Sequence, residues 1–296
     1  MPKRLYGSLD GALVPVGQEW RELKTLSWYQ VAEVYGQAEP KAQAISYHSA
    51  IAPAEEFGQL LWATGVRRLA DKAQELVFVC NGAIWIWKLI SHYFPDAIQI
   101  VDGYHACEYL TPIADAVFSQ ATARQEWLEQ VKNWLWQGQV QKVIAACRRY
   151  ARHKTAGEAT QRAVTYYTNN QHRMHYAQFR TQEYWIGSGT VESACKQIAT
   201  TRLKISGARW TLAGAIATSK ARAAWLSDGG PSTACPFCPW LSDSTTFECT
   251  LPRRYGVFYA VLDIYPSYMR AKVWYVSRLA GTYSRVHDQQ ILLTFT

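Results

Sequence analysis

Leu76-Val-Phe-Val-Cys80-Asn81-Gly82 decides the fold: five apolar residues in a row, closed by a turn-forming pair. A strand with one wet face alternates polar and apolar residues, whereas a strand covered on both faces is apolar throughout. This run therefore predicts a parallel strand inside a sheet. The pattern recurs at Ala97-Ile-Gln-Ile-Val101, closed by Asp102-Gly103. Between the two runs, Ala83 to Phe94 reads as an aromatic-rich helix stopped by Pro95. Upstream, Leu5 to Val16, Trp20 to Val34 and Ala42 to Ala52 are extended segments that fit an antiparallel meander. Pro53-Ala-Glu-Glu56 then starts a helix, with Phe57, Leu60, Leu61, Thr64 and Leu69 on its apolar face. Tyr104 to Val117 returns to helix.

Three strands, helix, strand, helix, strand, helix is the order of an α/β, ribonuclease H-like mixed sheet, in which the first strand is central and the strand after the first helix pairs beside it. An ordinary nucleotide-binding sheet lacks the opening meander and carries a glycine-rich phosphate loop after its first strand, which is not present here. From Ala114 to Trp185 the pattern is helical throughout, with Trp127, Leu128, Trp134, Leu135, Val140, Val143 and Ile144 as core positions. The expected organisation is a first part of the core at 1–113, a helical insertion at 114–186, and a last catalytic helix with a basic helix completing the core at 187–228. Composition changes after Trp225-Leu-Ser-Asp-Gly-Gly-Pro231, so 229–296 reads as a divergent, poorly ordered tail with strand-like pieces such as Tyr255 to Ile264.

With 296 residues, 49% of them hydrophobic, the chain can fill a sizeable core. Its longest apolar runs fall short of the roughly eighteen residues of a membrane helix. The polar start, Met1 to Asp10, has neither signal-peptide nor transit-peptide character, which predicts a cytoplasmic, nucleoid-associated protein. A formal charge of +8 favours a polyanionic partner, nucleic acid first. The seven cysteines are an odd, scattered set, unlike a disulfide framework. Cys235 and Cys238 have metal-ligand spacing but only Cys249 follows, too few ligands for a structural zinc.

The chemistry concentrates in Ile186-Gly-Ser-Gly-Thr-Val-Glu-Ser-Ala-Cys-Lys196. A glycine-hinged turn delivers Glu192 at the start of a helix, just before the basic residues Lys196, Arg202, Lys204 and Arg209. Asp10 and Asp102 sit far upstream at predicted strand positions. Three acids gathered from distant sequence suit hard divalent cations. The blander readings are a surface turn acid for Asp10 and a helix-capping acid for Glu192. Trp85 and Trp87 read as core, and the aromatics of Tyr166 to Tyr176 as packing between helices.

On these residues the chain resembles ISKra-type insertion-sequence transposases, relatives of the Mutator-like group, over roughly residues 5 to 226. The resemblance rests on Asp10-Gly-Ala-Leu-Val-Pro15 with Trp20-Arg-Glu-Leu-Lys24, Asn81-Gly-Ala-Ile-Trp-Ile-Trp87, and Phe94 through His105. Arg173-Met-His-Tyr176 also matches, as does the Glu192 string leading to Arg202-Leu-Lys204 and Gly207-Ala-Arg-Trp210. It implies a DDE-type enzyme that uses Mg2+ (or Mn2+) to cleave double-stranded DNA at element ends and transfer the strand, assembled as a homo-oligomer on the DNA.

Asp10 and Glu192 would then be metal ligands, and Lys196, Arg202, Lys204 and Arg209 would contact DNA. The second aspartate has two candidates. Where the family commonly has Asp-Gly-Ala this chain has Asn81-Gly-Ala83, and one strand further it has Asp102 in an Asp-x-x-His pair with His105, a proton shuttle or a structural partner. Strand order favours Asn81. The chain begins only ten residues before Asp10 and its tail leaves the family pattern, so a truncated or decayed copy is expected. The rival expectations are a catalytically silent DNA-binding remnant and a cellular ribonuclease H-like nuclease or resolvase.

Overall fold

In a computed structural model, the described residues are 3–32 and 41–227 together with strands at 251–253, 256–265, 268–279 and 282–293. They fall into two compact units, residues 1–228 and 229–296. The first is α/β, built on a mixed sheet of β1 (Arg4–Val16), β2 (Glu19–Ala32), β3 (Lys41–Ala50), β4 (Glu75–Cys80) and β5 (Ile98–Val101), in spatial order β3-β2-β1-β4-β5. β1, β2 and β3 pair antiparallel, whereas β4 runs parallel to β1 and β5 parallel to β4. The apolar run at 76–80 thus lies inside the sheet, with Val77, Phe78, Val79 and Cys80 fully buried. Removing each such side chain from water stabilises the fold by roughly 1.5–3 kcal/mol before entropy is subtracted.

Two helices cover one face. α1 (Ala54–Arg67) and α2 (Ile84–Tyr93) enclose Trp28, whose ring meets Phe78 and Phe94 at centroid distances of 5.5 and 5.9 Å. The indole N–H of Trp28 donates to the Thr64 hydroxyl at 3.0 Å. Glycine lets α1 approach this closely: a Cβ at Gly65 would stand 2.9 Å from both Phe94 and Trp28, and one at Gly58 would stand 2.3 Å from Tyr93.

The helical stretch comprises α3 (Gly103–Glu108), α4 (Thr111–Val117), α5 (Ala121–Trp136), α6 (Val140–Arg148), α7 (Gly157–Asn170) and α8 (Tyr176–Thr181). The single helix expected over 104–117 is two, because Pro112 has no N–H to continue the helix of α3 and is placed instead in the first turn of α4. Leu128, Leu135, Val140, Val143 and Ile144 are buried, with Trp127 and Trp134 partly buried against the same core that contains the sheet's apolar residues. The aromatics near 166–176 pack: the Tyr167 hydroxyl donates to the Ala106 carbonyl at 2.7 Å, and that of Tyr176 to the Val101 carbonyl at 3.0 Å. At the start of the sheet, Arg4 pairs with Glu75 at 2.7 Å and also donates to the carbonyls of Gln182 and Glu183. The Tyr184 hydroxyl completes this clasp at 2.7 Å from Glu75, and with Arg4 it holds the Glu75 carboxyl below the usual range.

α9 (Gly189–Cys195) and α10 (Leu212–Leu226) cover the other face, where Val14, Val16, Leu23, Ala194, Ile198, Ala199, Leu203 and Ala215 form a second cluster. No helix among the described residues is long and apolar enough to cross a membrane. The second unit contains a four-stranded antiparallel sheet of β6 (Leu251–Arg253), β7 (Gly256–Tyr265), β8 (Tyr268–Leu279) and β9 (Thr282–Leu293), in that order. Cys235, Cys238 and Cys249, considered above for zinc, lie outside the described residues.

A candidate acidic site across three strands

β1 and β4 pair from Arg4 with Glu75 to Gly7 with Phe78, and β4 and β5 from Val77 with Ile98 to Cys80 with Val101. Carried forward, the same registers set Asp10, Asn81 and Asp102 side by side in one row across three adjacent strands. The contacts follow that row. Leu9 N–H meets the Cys80 sulfur at 3.2 Å, and the Asn81 amide donates to Asp10 Oδ1 at 2.9 Å. Thus the two competing positions for the second acid are neighbours, and Asn81 is the one that touches Asp10.

Asn81 has no free end: its Nδ2 is on Asp10, while its Oδ1 accepts from Ala83 N–H at 3.0 Å. Asp10 Oδ1 also accepts from Gly11 N–H at 2.8 Å. Burial pushes the Asp10 carboxyl above the ordinary aspartate range. The Gly11 N–H, the Cys195 thiol and the nearby charge of His105 act in the opposite direction, and Glu22 adds to the rise. Cys195 stays protonated, since burial first and Asp10's charge second push its thiol up.

Asp102, only 2% exposed, caps α3 by accepting from His105 N–H at 2.7 Å. The Asp-x-x-His pair is therefore joined through backbone, while the His105 ring turns to Glu108, Nδ1 lying 3.1 Å from Oε2. The other Asp102 oxygen accepts from both the N–H and the hydroxyl of Ser188, the latter at 2.7 Å. The same hydroxyl lies 2.5 Å from Glu192 Oε1. Ser188 precedes α9 and spends its side chain on these two acids instead of capping its own helix. Gly103 N–H donates to the Ile186 carbonyl at 3.1 Å, fastening the returning chain to the same corner.

Glu192 and Lys196 are both exposed, one helical turn apart. The chain next makes a π-helical segment, Lys196–Thr200, with Thr201 N–H on the Lys196 carbonyl at 2.8 Å and Lys204 N–H on the Ala199 carbonyl at 3.0 Å. Lys204 and Arg209 are exposed in the loop to α10, and Arg202 is half-buried and engaged. Trp210 anchors that loop: its carbonyl accepts from Gly17 N–H at 2.8 Å and its indole donates to the Leu203 carbonyl at 3.0 Å.

The acids are brought to one place, but their donors do not form a cage for Mg2+ or Mn2+. Among the described residues no group of three or more His, Cys, Asp or Glu side chains is placed to hold a metal ion. The reason is local: the middle position of the row is an amide bonded to Asp10 and Ala83, and both Asp102 oxygens are taken. Sequence reasoning missed Ser188, the link between Asp102 and Glu192, and Cys195, the thiol over Asp10. The four-residue step from Ser188 to Glu192, one helical turn, was the available signal for the first. No protein-family model matches the chain, and no curated protein matches it.

Proposed function

We propose that the chain is an ISKra-type insertion-sequence transposase with a ribonuclease H-like fold, whose reaction is phosphodiester cleavage and strand transfer at element ends. The observation that carries this reading is the row Asp10, Asn81, Asp102 with Glu192 tied to it through Ser188. The sheet order β3-β2-β1-β4-β5 also supports it, being the order expected of a ribonuclease H-like core. Lys196, Lys204 and Arg209 follow Glu192 on an exposed surface and suit phosphate contact on double-stranded DNA. Mg2+ or Mn2+ is the cofactor that the resemblance implies.

A second reading has its own support. Asn81 neutralises nothing and blocks Asp10 with a hydrogen bond, which favours a copy that keeps DNA binding and has lost cutting. The deciding experiment incubates a duplex bearing the element's own end with Mg2+ or Mn2+ and the chain, Asn81→Asp or Glu192→Ala. Cutting by the unaltered chain that vanishes in Glu192→Ala supports a working transposase. Cutting that appears only in Asn81→Asp supports the silent copy. Binding without cutting in every form refutes the enzymatic reading.

A further inference from the structure

Gly82, next in the chain to Asn81, belongs to the lining of an open cleft of about 780 Å³ between α2 and α7. The lining brings Lys88, Arg162 and Arg173 together with Trp87, Tyr109 and Tyr166, and includes no carboxylate. Arg173 is the most informative. Its guanidinium is half-buried over the Trp87 ring, 4.5 Å from the centroid, and its partners are the neutral oxygens of Gln99 at 2.7 Å and Asn170 at 3.3 Å. A cation withdrawn from water with no counter-charge is a site awaiting an anion. Lys88 is exposed, while Arg162 makes an exposed pair with Glu158 at 3.2 Å.

An aromatic wall stands beside these cations. Tyr109 and Tyr166 stack with centroids 3.9 Å apart and planes within 17°, leaving the pair's outer face as a platform. The buried Tyr166 hydroxyl and the Trp87 indole N–H have no hydrogen-bond partner. Such groups are commonly completed by a bound molecule. Gly82 couples the cleft to the acidic row, because a Cβ there would stand 2.1 Å from the Tyr166 ring.

We infer that this cleft binds an unpaired nucleotide of single-stranded DNA, its phosphate against Lys88 and Arg173 and its base against Tyr109. Stacking platforms flanked by cations hold single strands in this way without reading sequence. The inference rests on the proposed function only in taking the strand to be one opened near the acidic row.

The test is fluorescence anisotropy of a fluorescein-labelled oligothymidylate with the full chain, using free dTMP and a duplex of equal length as competitors. The expected result is that the unlabelled strand competes better than either. Lys88→Gln and Tyr109→Ala should each weaken binding about tenfold, the loss anticipated for one charge-assisted contact or one stacked base. Lys142→Gln, outside the lining on α6, controls for general charge and should change nothing. Unaltered affinity in both variants, with far-UV circular dichroism showing them folded, overturns the proposal. Free dTMP competing as well as the strand also overturns it, by making the cleft a mononucleotide site. Strand binding that depends on Lys88 without any cutting of element ends would leave this inference standing while removing the enzymatic reading. Cutting that is indifferent to both variants would do the reverse.

Discussion

Asp10 and Asn81 set the character of the acidic row. An amide can give a hydrogen where a carboxylate can only accept one, so Asn81 stabilises Asp10 without any cation. The Asp10 carboxyl nevertheless has its pKa raised in the fold, by burial above all. The folded chain then holds that proton more tightly than the unfolded chain does. Stability contributed by this group is present below the ordinary aspartate range and is lost as pH rises through the elevated value. Urea-unfolding midpoints measured across that window should fall with pH, and Asp10→Asn should flatten the fall. An identical slope in the variant would show that Asp10 titrates normally. Asp10 and Glu192 were legible in the sequence because glycine-marked turns surround them. Ser188 was not, since a serine before a helix ordinarily caps that helix, and only the fold reveals Asp102, 86 positions away, as its partner.

Elements were legible where one physical requirement dominates. The runs at 76–80 and 97–101 contain no residue suited to solvent over most of their length, which leaves a covered strand as the economical reading. The break between α3 and α4 was hidden because the apolar period continues across it. Packing of α1 gives a prediction at this scale. Gly65→Ala inserts a methyl 2.9 Å from the rings of Phe94 and Trp28, both held in the core, and should destabilise the chain by about 1–3 kcal/mol. A thermal melt can measure this. An unchanged or higher midpoint would mean that the helix shifts freely, leaving only the gain in helix propensity.

For the whole molecule, excess positive charge on a chain of +8 predicts attraction to any polyanion, so affinity alone says little about a specific surface. The salt dependence says more. If Lys196, Lys204 and Arg209 touch phosphates, the plot of log affinity for duplex DNA against log salt should lose about one unit of slope for each of them changed to Gln. A slope unaltered by all three would place the duplex elsewhere. The division into two units was visible as a change of composition near residue 228, whereas the four-stranded sheet of the second unit was foreshadowed only at Tyr255 to Ile264.

The π-helical segment Lys196–Thr200 has a consequence of another kind. A π turn is an α turn holding one extra residue, and such turns arise within otherwise regular helices. Here the extra residue lets Ala194 upstream and Ile198, Ala199 and Leu203 downstream face the same apolar cluster, though ordinary α-helical spacing would rotate part of that set away. The segment therefore works as a phase adjuster: losing one residue would leave a sound helix but swing everything after it by about 100°, a single α-helical step. In this stretch, length is constrained as tightly as residue identity, and a one-codon deletion would be more disruptive than most substitutions.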